Sequence, residues 1–444
     1  MSTFHYRYGD LYCEGLDTRA LAERFGTPLY VYSASAIESS FDRLRSAFAE
    51  LNPRLHYAVK ANGNLSILRL LIARGASMDV VSGGELERAL HAGARPDGIV
   101  YAGVGKTEDE IRSALGRVGL FNVESEQELE RIAALARERR TCAEVCLRVN
   151  PDVDAHTHKY TTTGKKENKF GISLETSERL FRSFHRHEHV RIVGIHMHLG
   201  SPIASPRPYE EAIGIALSLT DRLGADGIEL NTLNIGGGYG VDYGAGEPAT
   251  PEQFAAVIVP LLRDRVAKGL RVLLEPGRYI VANAGVLLTR VQYVKEGRQK
   301  TFVVCDAGMQ TLLRPALYEA YHFVWPAKVA EADVPPRLPG SPASSDKARS
   351  SAEAGVARMQ TIDVVGPVCE SSDFLAQSRE LPDVRQGDLL CIFSAGAYGM
   401  SMASTYNDHP RPAEVIVRGQ QATLIRRRQS IESLLMDEID CESP

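Results

Sequence analysis

Residues 55–64 read LHYAVKANGN and place one lysine, Lys60, at the end of a short apolar run. The pattern over residues 55–59 is typical of a short buried strand, and the Asn-Gly-Asn at 62–64 then turns the chain. Most lysines are solvated surface charges. An amine at the tip of a buried strand therefore indicates a function, and the rest of the chain has to show which one.

The bulk composition is that of an ordinary globular protein. Of the 444 residues, 44% are hydrophobic and 24% are charged, and the formal net charge of -5 indicates neither a nucleic-acid nor a membrane partner. The seven cysteines are scattered and form no CxxC pair, so neither a disulfide framework nor a zinc site is expected. Because the first fifteen residues are too polar for a signal peptide, we expect a cytoplasmic protein.

From about residue 55 to 280, short apolar strands alternate with amphipathic helices. The predicted strands are HYAVK (56–60), MDVVS (78–82), IVYAG (99–103), LFNVES (120–125), VCLRVN (145–150), VGIHMHLG (193–200), LNIGGG (233–238) and VLLEPG (272–277). Eight strands joined by crossover helices favour an α/β fold of the (β/α)8 TIM-barrel type, with an open doubly wound sheet as the alternative. We expect this barrel to span residues 34–284.

After residue 285 the pattern changes to β-rich segments that are separated by turns and show little helical periodicity. We therefore expect a second, all-β domain over residues 285–430, completed by the strands of residues 1–33, including an N-terminal hairpin. The stretch 327–358 is rich in Pro, Ser, Ala and Gly and lacks apolar periodicity. Its composition predicts a mobile insertion within the β domain.

Polar residues and glycines stand at the carboxyl ends of the predicted barrel strands, where barrel enzymes carry their chemistry. They are Lys60, Asp79, Ser82, Glu124, Arg148, Asn150, His198, Ser201, Gly236, Gly237, Gly238, Glu275 and Arg278. Packing alone does not require so many polar residues at strand ends. The set therefore predicts an active site at this end of the barrel.

The residue types in this set indicate what the site binds. His196 and His198 alternate with apolar residues and so face the barrel mouth. They could form a metal site, but no third ligand stands at a suitable spacing, and an imidazole stacked on a planar ring fits better. The glycines at 236–238 form either a tight turn or a backbone cradle for a phosphate. Together with an amine at Lys60 and a carboxylate at Glu275, they describe a pyridoxal 5′-phosphate (PLP) site.

The chain resembles the fold-type III PLP-dependent decarboxylases, the family that includes ornithine decarboxylase. The resemblance covers almost the whole chain apart from the insertion. It rests on the motifs YAVKAN, DVVSGGE, VGKT, FNVES, LRVNPD, ENKFGI, HMHLGS, NIGGGYG, EPGR, RPALYEAYH, GPVCESSDF and AGAYG. It implies a PLP-dependent carboxy-lyase that acts as a homodimer, with active sites shared across the interface.

The resemblance also implies roles for individual residues. The catalytic residues would be Lys60, which holds PLP, His198, which stacks on the ring, Glu275, which keeps the ring nitrogen protonated, and Cys369, which donates a proton. The cofactor would contact Lys60, Asp79, His198, Ser201, Gly236, Gly237, Gly238, Glu275, Gly277, Arg278 and Tyr398. The substrate would contact Arg278, Arg314, Tyr318, Glu370 and Tyr398.

The expected substrate follows from the same resemblance. Arg314, Tyr318 and Glu370 offer two donors and one acceptor, which suits a distal group that bears both a carboxylate and an ammonium. The branch of the family with this pattern converts meso-2,6-diaminoheptanedioate (meso-diaminopimelate) to L-lysine and CO2, the last step of lysine biosynthesis. The alternatives are a sister decarboxylase acting on a D-amino acid or carboxynorspermidine, and a non-catalytic PLP-binding homologue.

Overall fold

The computed structural model describes residues 3–154, 169–244, 246, 248–298, 300–341 and 359–439. The chain divides into two compact units. One comprises Met1–Ile37, Asp242–Glu247 and Val281–Pro444, and the other comprises Glu38–Val241 and Pro248–Ile280. The first unit is rich in strands, and the second alternates strands with helices. The predicted bounds of the two domains stay predictions.

The α/β unit is built on a closed ring of parallel strands. Its eight main strands are Arg54–Ala58, Ser77–Val80, Ile99–Tyr101, Leu120–Val123, Ala143–Asn150, Val190–His196, Thr232–Asn234 and Arg271–Leu274. Each pairs in parallel with the next, and the eighth pairs with the first through Leu273↔Arg54 and Leu274↔Leu55. The predicted (β/α)8 barrel is confirmed, because this last pairing closes the sheet.

The helices of the α/β part are Ala34–Ala47, Leu65–Ala73, Gly83–Ala92, Glu108–Ala114, Glu126–Glu138, Leu174–Phe184, Arg207–Ala225, Pro251–Ala267 and Arg278–Val281. Several of them begin after a polar residue that caps the first turn. The side chains of Asn64, Ser82, Thr107 and Ser125 each accept a hydrogen bond from a backbone N–H of the helix that follows, a favourable N-cap. Within the described parts of the chain, no helix is long and apolar enough to cross a membrane.

An apolar layer fills the barrel beneath the strand ends. Val100, Leu120, Cys146, Val193 and Leu273 come from five different strands and form one cluster of buried side chains. Packed barrel interiors of this kind are layers contributed by several strands. Because the layer is close-packed, the polar side chains beyond it stand on a rigid base.

The strand-rich unit contains a nine-stranded sheet. Its strands are Leu29–Ser33, Gly285–Glu296, Thr301–Cys305, Val324–Pro326, Gln360–Val365, Phe374–Leu381, Leu389–Ile392, Ala413–Arg418 and Gln421–Arg426. Leu29–Ser33 lies between Gly285–Glu296, to which it is antiparallel, and Ala413–Arg418, to which it is parallel. An N-terminal strand therefore completes this sheet, as predicted. The unit also contains the helices Thr18–Phe25, Arg314–Tyr318 and Glu432–Leu435.

The N-terminal hairpin does not join the large sheet. Phe4–Arg7, Asp10–Cys13 and Leu16–Asp17 instead form a three-stranded sheet of their own. The reason lies in their backbone partners. Leu11 N donates to Ala327 O and Val329 N donates to Gly9 O, so residues 327–329 satisfy hydrogen bonds that the large sheet would otherwise have to provide.

Part of the predicted insertion, residues 327–358, packs onto the strand-rich unit. Asp333 O of the insertion accepts a hydrogen bond from Trp325 Nε1 at 3.1 Å. Arg337 Nη2, also in the insertion, lies 2.8 Å from Asp242 Oδ2. Residues 342–358 lie outside the described residues. The mobility expected for 327–358 therefore stays a prediction.

Candidate active site

Lys60 stands directly after the first barrel strand, in the short turn Val59–Ala61. Its Nζ lies 3.0 Å from Oδ2 of Asp79, a fully buried residue of the second strand. Asp79 Oδ1 is also buried, and no described residue forms a hydrogen bond with it. Burial raises the pKa of Asp79 to about 7, although the Lys60 ammonium acts in the opposite direction. Asp79 can therefore hold a proton near neutral pH.

Glu275 follows the eighth strand and is buried. Its Oε1 accepts hydrogen bonds from Nδ2 of Asn122 at 2.9 Å and of Asn234 at 2.6 Å, and its Oε2 lies 3.2 Å from His196 Nε2. Burial alone would raise the pKa of Glu275, but His196, Lys60 and Asn234 outweigh it and hold the pKa well below its usual value. Glu275 is therefore an ionised carboxylate at physiological pH.

Two of the three side chains that support Glu275, Asn122 and Asn234, were not predicted as site residues, whereas His196 was expected to face the barrel mouth but was given no role toward Glu275. Asn234 Oδ1 accepts from Gly236 N at 3.0 Å, which turns its amide nitrogen toward Glu275. His196 and Asn234 are directly paired across neighbouring strands. The signal that could have found Asn122 and Asn234 is an amide inside an otherwise apolar strand, because a buried amide needs hydrogen-bond partners.

His198 lies two residues beyond the end of the sixth strand and is half-buried. Its Nδ1 accepts a hydrogen bond from Gly237 N at 3.3 Å. Burial, together with the nearby cations of Arg148 and Lys60, lowers the pKa of His198 well below its ordinary value. The ring is therefore neutral and anchored on one edge, which suits stacking against a flat ligand ring.

The glycine loop packs tightly on neighbouring backbone. Gly236 and Gly238 have φ angles of 71° and 111°, a region that favours glycine. A Cβ on Gly237 would lie 2.0 Å from Glu275 O, and the Tyr209 hydroxyl donates to Gly237 O. Gly236 N and Gly237 N donate to Asn234 and His198, and the role of the loop in binding a phosphate stays a prediction.

Arg278 and Ser201 form a polar pair beside this loop. Arg278 is buried, and its Nε donates to Ser201 Oγ at 3.1 Å. A Cβ on the preceding Gly277 would lie 3.0 Å from the Ala58 side chain and 3.1 Å from that of Ala61. Gly277 thus lets Arg278 approach the turn that carries Lys60. A guanidinium and a hydroxyl side by side suit an anion.

Other polar residues at the strand ends serve the scaffold. Arg148 Nη1 lies 2.7 Å from Glu124 Oε1 in a buried ion pair, and Glu124 Oε2 accepts from Gly171 N at 3.2 Å. Ser82 caps the helix that follows it, and Asn150 Nδ2 donates to Phe170 O at 3.3 Å. Within the described parts of the chain, no group of three or more His, Cys, Asp or Glu side chains could hold a metal ion.

The predicted substrate-binding residues other than Arg278 lie in the strand-rich unit. Arg314 and Tyr318 belong to the helix Arg314–Tyr318, and Tyr398 is half-buried with a φ of 58°. Arg314 Nη1 lies 2.8 Å from His322 Nε2, while His322 Nδ1 lies 2.8 Å from Phe393 O. Because a carbonyl only accepts, His322 donates from Nδ1 and accepts from Arg314 at Nε2. This fixes the orientation of the buried guanidinium.

Cys369 and Glu370 are both exposed on the same unit. Cys369 Sγ donates to Asn407 Oδ1 at 3.7 Å. Glu370 accepts from the Tyr406 hydroxyl and, at 3.0 Å, from Ser372 Oγ. These two hydrogen bonds lower the pKa of Glu370, so its carboxylate is ionised and ready to accept from a cation.

The barrel residues fit PLP. The site offers an amine at a strand tip, a buried and ionised carboxylate, a neutral imidazole, and a guanidinium paired with a hydroxyl. It also contains Asp79 Oδ1 and Asn122 Oδ1, buried oxygens without a partner among the described residues. Unsatisfied buried oxygens are uncommon in native proteins, and a bound group at this site would supply the missing contacts.

Comparison with known proteins agrees with this fit. Residues 34–282 match the family model described as pyridoxal-dependent decarboxylase, pyridoxal binding domain, so the fold and site are those of a PLP-dependent decarboxylase. The chain is 44% identical to the diaminopimelate decarboxylase of Pseudomonas aeruginosa over 99% of each chain. It belongs to the diaminopimelate decarboxylase family. The predicted family, PLP cofactor and carboxy-lyase class are thereby confirmed.

Solved structures of this family share the fold over nearly the whole chain. Diaminopimelate decarboxylase from Helicobacter pylori complexed with L-lysine is 36% identical, with a TM-score of 0.85 over 95% of this chain and 98% of that one. The enzyme from M. jannaschii in co-complex with L-lysine is 35% identical, with a TM-score of 0.88 over 99% of this chain and 98% of that one. The roles of individual residues in this chain remain predictions.

The packing of the glycine loop yields a testable prediction. Gly237→Ala is expected to lower the free energy of unfolding by about 1–3 kcal/mol, because the new Cβ would meet Glu275 O at 2.0 Å. Urea unfolding of the purified variant measures the change. Gly84→Ala is the control, since a Cβ there has Ser82 Oγ as its nearest neighbour at 3.9 Å. Equal stability of the two variants would contradict the prediction.

Proposed function

We propose that this chain decarboxylates meso-diaminopimelate to L-lysine and CO2 with PLP. The observation that carries the proposal is the buried, ionised Glu275 in the same barrel as the Lys60–Asp79 pair. PLP, when bound, supplies the electron sink that lets an amino acid lose CO2 from its Cα. The chain's own residues have to hold that cofactor, keep its ring nitrogen protonated, orient the substrate and deliver a proton.

Lys60 would hold the cofactor through its amine. An ammonium is not a nucleophile, so Lys60 has to lose a proton before it reacts. Asp79 lies 3.0 Å away and has a pKa of about 7, raised by burial against the effect of Lys60. It is therefore suited to take up that proton and to return it.

Glu275 would hold the proton on the ring nitrogen. Three donors fix this carboxylate and keep it ionised, so it favours a positive charge beside it. His198 would cover one ring face, and its neutral state avoids placing a second cation there. Arg278 and Ser201 would bind the phosphate, with Gly236, Gly237, Gly238 and Gly277 allowing close approach and Tyr398 beside the cofactor.

The substrate's distal end carries a carboxylate and an ammonium, and the strand-rich unit has partners for both. Arg314 and Tyr318 would donate to the distal carboxylate, together with Arg278 from the barrel. Glu370, ionised and exposed, would accept from the distal ammonium. Cys369, next to it in sequence, would deliver the proton that replaces CO2.

The alternatives differ in what they require. A sister decarboxylase for a D-amino acid or carboxynorspermidine would not need partners for both distal groups. A non-catalytic homologue would not need a proton donor, yet Cys369 is present together with Arg278 and Arg314. The distal pair of a guanidinium and a carboxylate favours meso-diaminopimelate.

An assay of CO2 release tests the proposed reaction. Purified enzyme loaded with PLP is expected to release CO2 from meso-diaminopimelate at a kcat/KM at least about 10²-fold above that for ornithine or lysine. Those two amino acids lack the distal carboxylate to which Arg314 would donate, so a site built for that group is expected to reject them. A higher kcat/KM on ornithine, or on a D-amino acid, would support a sister enzyme instead.

The role of Glu275 gives a second test. Glu275→Gln is expected to lower kcat by at least ~10²-fold, because the ring nitrogen loses its charged partner. The absorbance of bound PLP at equal protein concentration separates this effect from loss of cofactor. Glu188→Gln is the control, since its side chain is 87% exposed. Unchanged kcat in a PLP-loaded Glu275→Gln enzyme would refute the proposed role.

We also propose that the protein is a cytoplasmic homodimer with composite sites. The support is that Cys369 and Glu370 are exposed on the strand-rich unit, whereas Lys60 belongs to the barrel. In a two-fold dimer, the same surface of each chain meets the other, so one interface builds two identical sites. Each site would combine the Lys60 of one chain with the Cys369 of its partner.

Mixing inactive variants tests the shared site. When Lys60→Ala and Cys369→Ala chains exchange randomly, half of the dimers are mixed, and each mixed dimer has one intact site of two. Activity is therefore expected to return to about a quarter of wild type. In the control, the Lys60→Ala chain is mixed with a chain that carries both Lys60→Ala and Cys369→Ala. No dimer in that mixture has an intact site. If exchange is verified by labelled subunits and the first mixture stays inactive, both residues come from one chain.

A further inference from the structure

The adjacent residues Tyr406 and Asn407 contact two adjacent predicted site residues, Glu370 and Cys369. The short turn Tyr406–Asp408 places the Tyr406 hydroxyl on Glu370 Oε1 and Asn407 Oδ1 against Cys369 Sγ, at 3.7 Å for the second pair. Tyr406 and Glu370 are 36 residues apart in sequence, and Asn407 and Cys369 are 38 residues apart. No helical or strand periodicity brings them together, so these contacts belong to the tertiary structure of this unit.

The backbone of the turn leaves the right-handed helical region at Asn407. Asn407 has φ 54° and ψ 31°, a left-handed conformation that non-glycine residues adopt at a cost, although asparagine tolerates it best. Tyr406 is 44% exposed, so its ring gains little from burial. Strain in an exposed segment points to a function for the side chains that it orients.

The turn restricts the carboxylate of Glu370. A glutamate on the surface would normally sample several rotamers, and ordering such a side chain costs conformational entropy. Here Tyr406 donates to one oxygen and Ser372 Oγ to the other, at 3.0 Å. The carboxylate is therefore held in one orientation and ionised, with lone pairs left for a further donor such as an ammonium.

The turn also orients the thiol of Cys369. A thiol is a weak donor that rotates freely unless an acceptor fixes it, and the amide oxygen of Asn407 is that acceptor. A cleft of about 560 Å³ borders the same turn and is lined in part by Leu313, Tyr406 and Asn407. The turn thus has open space beside it that can accept a ligand or another chain.

We propose that Tyr406 and Asn407 are positioning residues, Tyr406 for the carboxylate that recognises the distal ammonium and Asn407 for the thiol that donates the proton. This proposal rests on the proposed function and extends it to two residues outside the predicted set of site residues. Tyr406 acts on affinity through Glu370. Asn407 acts on turnover through Cys369.

The first experiment isolates Tyr406 with two ligands that differ only in the α-ammonium group. L-Lysine and 6-aminohexanoate are titrated into PLP-loaded enzyme, and the absorbance change of bound PLP gives Kd. Tyr406→Phe is expected to raise the Kd of L-lysine about tenfold, because a hydrogen bond to a charged group is lost. The Kd of 6-aminohexanoate is expected to change less than about twofold, since it lacks the group that Glu370 binds.

The control for Tyr406 is Tyr293→Phe, which removes a hydroxyl from a tyrosine that is 65% exposed elsewhere on the same unit. It is expected to leave both Kd values at those of wild type. An equal rise of both Kd values in Tyr406→Phe would show a merely structural role and overturn the proposal. No rise in either would overturn it as well.

The second experiment isolates Asn407 by its effect on kcat. Asn407→Gly keeps the left-handed backbone accessible but removes the acceptor, and it is expected to lower kcat on meso-diaminopimelate about tenfold. The Kd of L-lysine is expected to stay within about twofold. Asn407→Asp restores an oxygen at the same place and is expected to recover most of kcat. Wild-type kcat in Asn407→Gly, or equal losses in both variants, would overturn the role.

The two proposals fail in different ways. The Kd titrations need no turnover, so they report on Tyr406 even when meso-diaminopimelate is not the substrate. Absence of CO2 release by the wild-type enzyme overturns the proposed function. A wild-type enzyme that releases CO2, combined with unselective effects of Tyr406→Phe and Asn407→Gly, overturns only the positioning roles.

Discussion

The site depends on a single buried negative charge, that of Glu275. An ionised carboxylate is expensive to bury unless hydrogen bonds replace its water. Here Asn122, Asn234 and His196 provide those contacts from the fourth, seventh and sixth strands, while Glu275 itself follows the eighth. These donors keep the carboxylate ionised. An anion in this position favours the protonated form of the ring nitrogen of a bound cofactor.

This charge explains why the sheet has to close. Asn122 and Glu275 are 153 residues apart and stand on opposite sides of the ring of strands, yet their side chains lie 2.9 Å apart. In an open sheet, the fourth and eighth strands would be separated by the width of the sheet. Closure brings them face to face across the barrel, and the apolar layer of Val100, Leu120, Cys146, Val193 and Leu273 keeps that distance fixed. Closure of the barrel therefore places the hydrogen-bond donors that keep Glu275 ionised.

The sequence predicted well what depends on local pattern. Strand period and helix caps located all eight barrel strands, and the polar residues at their ends pointed to Lys60 and Glu275. It did not predict that Leu29–Ser33, rather than the N-terminal hairpin, completes the large sheet, because strand pairing depends on partners far away in the chain. Asn122 and Asn234 were missed for the same reason. The role of an amide inside a strand can be assigned only when its hydrogen-bond partner, here Glu275, is known.

Glu275 and Glu370 are both ionised, but Glu275 is buried and Glu370 is exposed, so their hydrogen bonds have different effects. Glu275 is buried, so each of its donors acts in a medium of low dielectric constant, and removing one leaves an uncompensated charge. Glu370 is exposed, so water screens its charge and the hydrogen bonds from Tyr406 and Ser372 contribute orientation more than energy. Glu370 gains strength as a binding group only when something excludes water from it. A substrate ammonium closed off by a second chain would do so, which makes orientation before binding valuable. The protein thus builds the charge that we propose serves the cofactor into its core, and leaves the charge that we propose selects the substrate at its surface.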